Sequence, residues 1–332
     1  MPETAQRIAP FLFAATFLAP VGTAVAQDRP NPLPIMTRDV PTLPVILRSD
    51  REAEGGVAGS CDTVVSAWTD SDFQGGSYVA QGGFGEQEIA AVSFTVDPGA
   101  FPLKIDVIES IFATSNATVQ TTTEWTCLIW QGNPRDGSLA YTFSSDGKIL
   151  PHIVLPPGTN GVNVQLQVDP GDPEQLIIEN DGSNTFSVGF RIDAHNNQTQ
   201  KPCFVAPPSS SNAFPTTDTG GLSNATNNWL FALDCGIFGC RAGWSTFAQL
   251  GLCQPSGDWV TRVSWTPFFC DTPEGACCVG GDCFDFITES DCTVLEGVWS
   301  GAGSLCDGDT CPDAIGPCCF ESTGGCVQLS AE

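Results

Sequence analysis

Basic residues are scarce in this sequence. Its 332 residues include 12 Lys and Arg against 38 Asp and Glu, which gives a formal net charge of -26. Nucleic acids and anionic membrane surfaces both bind to basic faces, so the composition argues against both kinds of partner. An acidic surface instead suits an exported protein that stays in solution, and it is compatible with Ca2+ binding.

The usual catalytic motifs are absent. The sequence contains no GxSxG, HExxH or P-loop motif, and its two histidines are His152 and His195. A Ser-His-Asp or Cys-His site would have to use one of them, although isolated histidines are more often surface residues. A glycosidase needs two carboxylates, and no pair stands out among 38 acids. We therefore expect a protein that is not an enzyme, with an extracellular hydrolase as an alternative.

Long apolar runs are missing after the N-terminus. Arg7 precedes an apolar segment at residues 8–19, and the small residues at 24–26 form a cleavage site. This arrangement is typical of a secretory signal peptide, and the segment is shorter than the roughly 20 residues of a membrane-spanning helix. We predict a signal peptide at 1–26, no membrane span after its cleavage, and a secreted protein that is extracellular or at the cell surface.

Zinc-binding patterns are missing, although cysteine itself is plentiful. The sequence has 16 cysteines but no CxxC pair, and neither histidine lies near a cysteine pair. Zinc sites usually mix Cys with His or use CxxC pairs, whereas an even number of cysteines at this density is typical of disulfides formed in an oxidising compartment. We predict that the disulfide-forming residues include Cys61, Cys127, Cys203, Cys235, Cys240, Cys253, Cys270, Cys277, Cys278, Cys283, Cys292 and Cys306.

A convincing helical pattern is also missing, and the chain shows period-two alternation instead. Residues 162–168 and 186–192 alternate apolar and polar side chains, which indicates strands with one buried face. Residues 133–137 read Asn-Pro-Arg-Asp-Gly and predict a tight turn between two strands. Many short strands with Gly and Pro turns predict an all-β fold, an antiparallel β-sandwich of jelly-roll-like form, over residues 59–269.

Proline is concentrated ahead of this domain. Five prolines lie between residues 30 and 44, and proline interrupts both helices and sheet ladders. We therefore predict a Pro-rich linker at 27–58, with room for one short strand at 45–47.

The C-terminal part of the chain contains one cysteine pattern twice. Residues 275–283 read GACCVGGDC and residues 316–326 read GPCCFESTGGC, with an offset of 41 residues between their cysteine doublets. Taking Cys270 as the first cysteine, we predict a six-cysteine repeat at 270–310 and a truncated second repeat at 311–332. A module of about 41 residues buries too little apolar surface to fold unaided, so disulfides would supply the constraint. Six cysteines allow 15 pairings, and all of them stay open.

The repeat resembles a known kind of sequence. Its pattern C-x4-G-x-CC, continued through Trp299 to Cys306, is similar to cysteine-rich repeats of large secreted proteins from planctomycete-type bacteria. The segment at 59–269 is similar to exported β-sandwich domains of the same organisms. The resemblance implies secretion and a modular architecture rather than a chemistry. The spacing from Cys283 to Thr288 is one residue longer than in that pattern.

Tryptophan supplies the candidate ligand-binding residues. The chain has 8 tryptophans and 2 tyrosines. Neighbouring strand residues face opposite ways, so Trp130 cannot share a face with Trp125 or Cys127, whereas Trp259 and Trp265 could share one. Exposed tryptophan rings bind sugar rings through their apolar faces, and packing in the core is the alternative.

Aspartates in turns supply candidate metal ligands. Hard cations such as Ca2+ prefer carboxylate oxygens presented by loops. Asp70, Asp72, Asp169 and Asp172 have this placement, and none matches an EF-hand. Capping of solvated turns is the alternative.

These observations together favour a secreted, non-enzymatic structural or adhesive protein of the cell surface or extracellular matrix. A carbohydrate-binding module of the β-sandwich type is the first alternative. The expected partner is a polysaccharide or another envelope protein.

Overall fold

The computed structural model describes most of the chain. The described residues are 34–37, 40–47, 61–115, 117–198, 207–208, 210–236, 239–268, 274–307 and 310–311, with the backbone of two strands at 317–319 and 326–328. The predicted signal peptide lies outside them. No helix in this part of the chain is long and apolar enough to cross a membrane.

The predicted all-β fold is confirmed. The first sixteen strands are, in chain order, β1 (Pro34–Thr37), β2 (Thr42–Leu47), β3 (Val64–Ala67), β4 (Gly76–Ala80), β5 (Ile89–Thr95), β6 (Leu103–Ala113), β7 (Thr121–Gln131), β8 (Ser138–Ser144), β9 (Ile153–Leu155), β10 (Gly161–Val168), β11 (Leu176–Ile178), β12 (Thr185–Ala194), β13 (Phe214–Thr217), β14 (Asn228–Ala232), β15 (Gly243–Thr246) and β16 (Thr261–Pro267).

These strands form two sheets. In the nine-stranded sheet the order is β1-β4-β13-β6-β10-β2, with β16 and β11 also paired to β6 and β3 paired to β16. In the seven-stranded sheet the order is β15-β14-β5-β12-β7-β8, with β9 paired to β7. The ladders are antiparallel apart from the parallel pair of β10 and β2.

Part of the predicted linker belongs to the nine-stranded sheet. Residues 34–37 and 42–47 are strands, and Val45 lies opposite Leu166 of β10 with its side chain buried in the core. Pro44 is tolerated because β2 pairs on one side only, and an edge strand needs no N–H on its free side. The predicted short strand at 45–47 lies within β2, and the linker prediction at 27–58 is corrected for the rest of these two strands.

The core lies between the two sheets. Phe112 of the nine-stranded sheet packs edge-on against Phe190 of the seven-stranded sheet, with ring centroids 5.5 Å apart. In β7 the side chains of Trp125 and Cys127 enter this core, whereas Trp130 joins a separate cluster. The predicted opposition of faces along β7 is thus observed.

Cys127 corrects the disulfide prediction. It is free and fully buried, and its cross-strand neighbours are Phe190 and Phe143, so no second cysteine stands opposite it. Burial raises the pKa of its thiol. Within the sandwich Cys240 bonds to Cys253, and Cys61 and Cys235 are also in disulfides.

The cysteine-rich part is a separate small unit. It consists of β17 (Glu274–Val279), β18 (Asp282–Thr288), α1 (Glu289–Val294) and β19 (Val298–Ala302), with sheet order β18-β17-β19. We call these strands and helix, with the segment through residue 311, the cysteine module. Its disulfides are Cys277–Cys292, Cys278–Cys311 and Cys283–Cys306.

These three disulfides correct the predicted phase of the repeat. Among the described cysteines the bonded set begins at Cys277 and takes its sixth member from Cys311, one residue beyond the predicted boundary at 310. Cys203 and Cys270, which are also among the predicted disulfide-forming residues, lie outside the described residues. The phase beginning at Cys270 rested on an even cysteine count in the sandwich, and the free Cys127 removes that requirement.

The hairpin of the cysteine module recurs in the second repeat. Cys278 lies opposite Cys283 in the β17–β18 ladder. Strands β20 (Pro317–Cys319) and β21 (Cys326–Gln328) pair in the same way, with Cys319 opposite Cys326. The doubled sequence pattern therefore corresponds to a doubled hairpin register.

Candidate functional site

The two predicted ligand-binding tryptophans are core residues. Trp259 is 2% exposed, and its Nε1 donates a hydrogen bond to the carbonyl oxygen of Trp229 at 2.9 Å. Trp265 is 5% exposed, and its Nε1 donates to Ser66 Oγ at 3.0 Å. Both side chains belong to the core between the sheets, so they form no exposed pair that could stack on a sugar.

A different set of tryptophans lies on the outer face of the seven-stranded sheet. We call Trp130, Trp229, Trp244 and Phe231 the outer tryptophan cluster. The rings of Trp130 and Trp244 meet edge to face at 5.6 Å, and those of Phe231 and Trp244 at 5.4 Å. Trp130 and Trp229 are buried, whereas Trp244 and Phe231 are partly exposed.

Small residues in the middle of the sheet make this contact possible. Trp130 is on β7 and Trp244 on β15, with three strands between them. Trp229, Ala91, Gly189 and Leu128 lie side by side on successive strands. A Cβ on Gly189 would lie 2.7 Å from the Cβ of Ala91, so this position has no room for a side chain. The absence of a side chain there leaves space above the central strands for the large rings of Trp130 and Trp244.

The β7–β8 turn places charge at the edge of the cluster. The guanidinium carbon of Arg135 lies 5.5 Å from the ring centroid of Trp229, a cation–π arrangement. Asn133 Oδ1 accepts hydrogen bonds from the backbone N–H groups of Arg135 and Asp136, which fixes the turn. Arg135 forms a 2.9 Å ion pair with Asp136 and lowers the pKa of that carboxyl.

One polar atom of the cluster has no partner. The Nε1–H of Trp229 is buried and makes no hydrogen bond within the described part of the chain. Buried indole donors usually find an acceptor. The accessible groups of the cluster are the partly exposed rings of Trp244 and Phe231 and the exposed guanidinium of Arg135, which together can bind a ligand that has both apolar and polar faces.

Three of the four predicted calcium ligands cap their own turns. Asp72 Oδ1 accepts the N–H of Gln74 at 2.9 Å. Asp169 and Asp172 likewise accept N–H groups two residues ahead, at 3.0 and 2.7 Å. Among the described residues, the one group of three potential metal ligands within 4.8 Å consists of cysteines rather than carboxylates. Ca2+ binding by these turns stays a prediction.

The fourth aspartate, Asp70, lies near the buried carboxylate of Asp218, whose Oδ1 accepts the backbone N–H of a second buried aspartate, Asp258. Sequence reasoning missed both buried aspartates. Asp258 is 1% exposed and accepts hydrogen bonds from the backbone N–H of Ser223 and from Asn228 Nδ2. Asp218 is also buried, and burial raises its pKa, with the charges of Asp258 and Asp70 adding to the effect. Asp258 therefore fixes the segment that contains Ser223 and Asn228. No sequence motif predicts this role, because these partners are distant along the chain.

Neither histidine completes a catalytic triad. His195 Nε2 lies 2.8 Å from the carbonyl oxygen of Phe84, and burial lowers the pKa of the ring. His152 Nδ1 lies 3.0 Å from Ser145 Oγ, which also accepts the N–H of Trp125. Neither ring hydrogen-bonds to a carboxylate in the portions of the chain that the structure describes.

Comparisons with known proteins add little. No family model and no curated protein matches the chain. Among solved structures it is similar to the cysteine protease and lectin-like domains of Cwp84, a surface-layer-associated protein of Clostridium difficile, with a TM-score of 0.32 and 11% identity over 62% of this chain and 36% of that chain. Clostridial Cwp84 after propeptide cleavage gives a TM-score of 0.32 and 10% identity over 62% and 40%. The chain thus spans less than half of these proteins, and a likeness at this TM-score carries no argument.

Proposed function

We propose that this protein is a secreted, non-enzymatic adhesive or structural protein of the cell surface or extracellular matrix. The disulfides support the proposal, because they are compatible with an oxidising extracellular location. The outer tryptophan cluster is the observation that carries the adhesive role, because it puts aromatic rings on an outer sheet face rather than in the core.

The ligand that we propose for this cluster is a polysaccharide. Sugar rings have apolar C–H faces and a rim of hydroxyls, and the cluster offers both complements. Trp244 and Phe231 present partly exposed apolar rings, while the exposed guanidinium of Arg135 supplies donors. A net charge of -26 repels anionic polymers, so a neutral polysaccharide fits better than an acidic one.

The test is retention of the purified chain on a panel of insoluble neutral polysaccharides. We expect retention on at least one matrix, and at least a tenfold loss in Trp244→Ala. Phe284→Ala is the matched control, since Phe284 is an exposed aromatic residue on β18 of the cysteine module. Equal loss in both variants, or no retention on any matrix, would overturn polysaccharide binding by this face, and another envelope protein would become the expected partner.

A hydrolase is the second candidate because of the bond between Ser145 and His152. The pair has a nucleophile and a base in contact but lacks the acid that usually orients the base. Release of reducing sugar or of carboxylic acid from the same panel, lost in Ser145→Ala, would favour this candidate over a purely adhesive role.

A further inference from the structure

Three sulfur atoms of the cysteine module lie close together, and a fourth is bonded to one of them. The disulfides Cys278–Cys311 and Cys283–Cys306 are neighbours, and the Sγ atoms of Cys278, Cys283 and Cys311 all lie within 4.8 Å of one another. Cys306 joins them through its bond to Cys283. The convergence brings together cysteines from the β17–β18 hairpin and from the segment after β19.

The sequence spacing around this point is symmetrical. Four residues separate Cys278 from Cys283, and four separate Cys306 from Cys311. The first pair faces across a hairpin whose turn is Gly280-Gly281, both at positive φ. The sequence has no CxxC pair, but these two C-x4-C pairs lie at the upper end of the two-to-four-residue spacing of structural zinc ligands.

The loop that carries the second pair is held by its own hydrogen bonds. Thr310 Oγ1 donates to the carbonyl oxygen of Leu305 at 2.8 Å and accepts the N–H of Asp307 at 3.0 Å. Asp285 Oδ1 on β18 accepts the N–H of Cys306 at 2.5 Å. The first two bonds lie within the loop, and the bond from Cys306 to Asp285 joins the loop to the hairpin without using a sulfur atom.

The third disulfide of the module lies apart from this cluster. Cys277 precedes Cys278 in β17, so its side chain points to the opposite face of the strand. Cys277 of β17 and Cys292 of α1 are fully buried and bond to each other. The module therefore has one isolated disulfide and one group of four convergent cysteines.

We propose that Cys278, Cys283, Cys306 and Cys311 bind one zinc ion when their two disulfides are reduced. A thiol or phosphine reductant delivers two electrons to each disulfide and is itself oxidised, water supplies two protons per disulfide, and the two S–S bonds become four thiols. Binding of Zn2+ then releases four protons and forms a tetrahedral tetrathiolate centre. Sulfurs in such a centre lie about 3.8 Å apart, close to the present separations of three of the four Sγ atoms, which are within 4.8 Å of one another.

Local charge favours a divalent cation over bare thiolates. The chain contains no Lys or Arg from residue 270 to its end, so no basic side chain of the module offsets four negative sulfurs. Zinc supplies that positive charge, and it restores the same links between hairpin and loop that the disulfides make. The hairpin and the loop can thus be linked in two ways, by disulfides in an oxidising compartment and by zinc where thiols are kept reduced.

The test uses the full chain, reduced with a phosphine that is then removed without air. Co2+ serves as the spectroscopic probe, because a tetrathiolate centre gives intense sulfur-to-cobalt charge-transfer absorption. We expect one such centre per chain, displaced by Zn2+, with about four protons released per zinc. We also expect zinc to slow alkylation of the four named cysteines, as read by peptide mass spectrometry.

Two double variants decide the assignment. Cys283→Ser with Cys306→Ser should abolish the cobalt spectrum and the zinc protection. Cys277→Ser with Cys292→Ser should retain both, because these residues lie outside the cluster. Equal alkylation of the four cysteines with and without zinc, or an unchanged cobalt spectrum in the first variant, would overturn the proposal. Alkylation with and without zinc still reports zinc binding if reduction partly unfolds the module.

Discussion

The sandwich and the cysteine module reach stability by different means. The sandwich buries a continuous core between two sheets, with Trp125, Phe112 and Phe190 among its fully buried side chains. In the described part of the cysteine module the buried apolar residues are Ala276, Cys277 and Cys292.

The module instead leaves large apolar side chains exposed, including Phe286 at 68% and Val298 at 71%. Its order comes from three disulfides within a few dozen residues. A unit too small to bury a core can still hold one conformation when cross-links limit its unfolded state. The comparison therefore predicts that the two regions respond to different perturbations.

The largest expected effect is loss of a core side chain in the sandwich. Trp125 is fully buried, packs against Phe190, and donates its Nε1–H to the carbonyl oxygen of Pro151. Trp125→Ala should lower the free energy of unfolding by about 3–5 kcal/mol, measured by urea denaturation. Val298→Ala, at an exposed site of the module, should change it little. A similar loss in both variants would contradict the division between the regions.

Removal of one disulfide comes next. The double variant Cys277→Ala and Cys292→Ala should destabilise the module by about 2–4 kcal/mol. Hydrogen exchange should rise across residues 274–307 and stay unchanged in the sandwich. Faster exchange in the β6 or β12 amides would show that the sandwich depends on the module, and the comparison would then fail.

Much of the sandwich could be predicted from period-two alternation. The predicted strands at 162–168 and 186–192 correspond to β10 and β12, and the turn at 133–137 lies between β7 and β8. The parallel pairing of β2 could not be predicted, because its register is set by a strand that lies more than 100 residues away in sequence. Proline suggested a linker where the sheet needed only an edge strand.

The position of the tryptophans was the weaker part of the prediction. Alternation shows which residues share a face, but both faces of a central strand can be apolar. In β7 Trp125 faces the core and Trp130 faces outward, and both are large hydrophobic residues. Trp265 was a reasonable candidate by spacing and is in fact packed against Phe186. The outer cluster depends on the absence of a side chain at Gly189, which becomes visible only when the strands are aligned.

The free energy of unfolding should depend on pH through histidine in the sandwich but not in the cysteine module. The two histidines of the chain, His152 and His195, both lie in the sandwich. Burial lowers the pKa of His195 below its ordinary 6.5, so the unfolded chain takes up this proton first as pH falls. The contribution of His195 to the free energy of unfolding of the sandwich should therefore be fully present above pH 6.5 and should be lost as pH falls toward the folded pKa.

Urea midpoints at a series of pH values measure this effect. His195→Gln should flatten the decrease below pH 6.5, and His152→Gln serves as the control for loss of a histidine. The raised pKa of Asp218 acts in the opposite sense, since its folded carboxyl takes up a proton before the unfolded one does. An unchanged slope in His195→Gln would show that another group sets the pH dependence.

The smallest expected effect concerns the free cysteine of the sandwich. Cys127 is fully buried, and its pKa is raised by burial, so it should resist alkylation in the folded chain and react once the sandwich unfolds. Cys127→Ala removes one sulfur from the core and should cost about 1 kcal/mol, less than loss of a module disulfide. A loss of unfolding free energy as large as that of the Cys277 and Cys292 double variant would show that Cys127 contributes as much to stability as a disulfide does. The contrast between a cysteine that packs and cysteines that cross-link would then no longer hold.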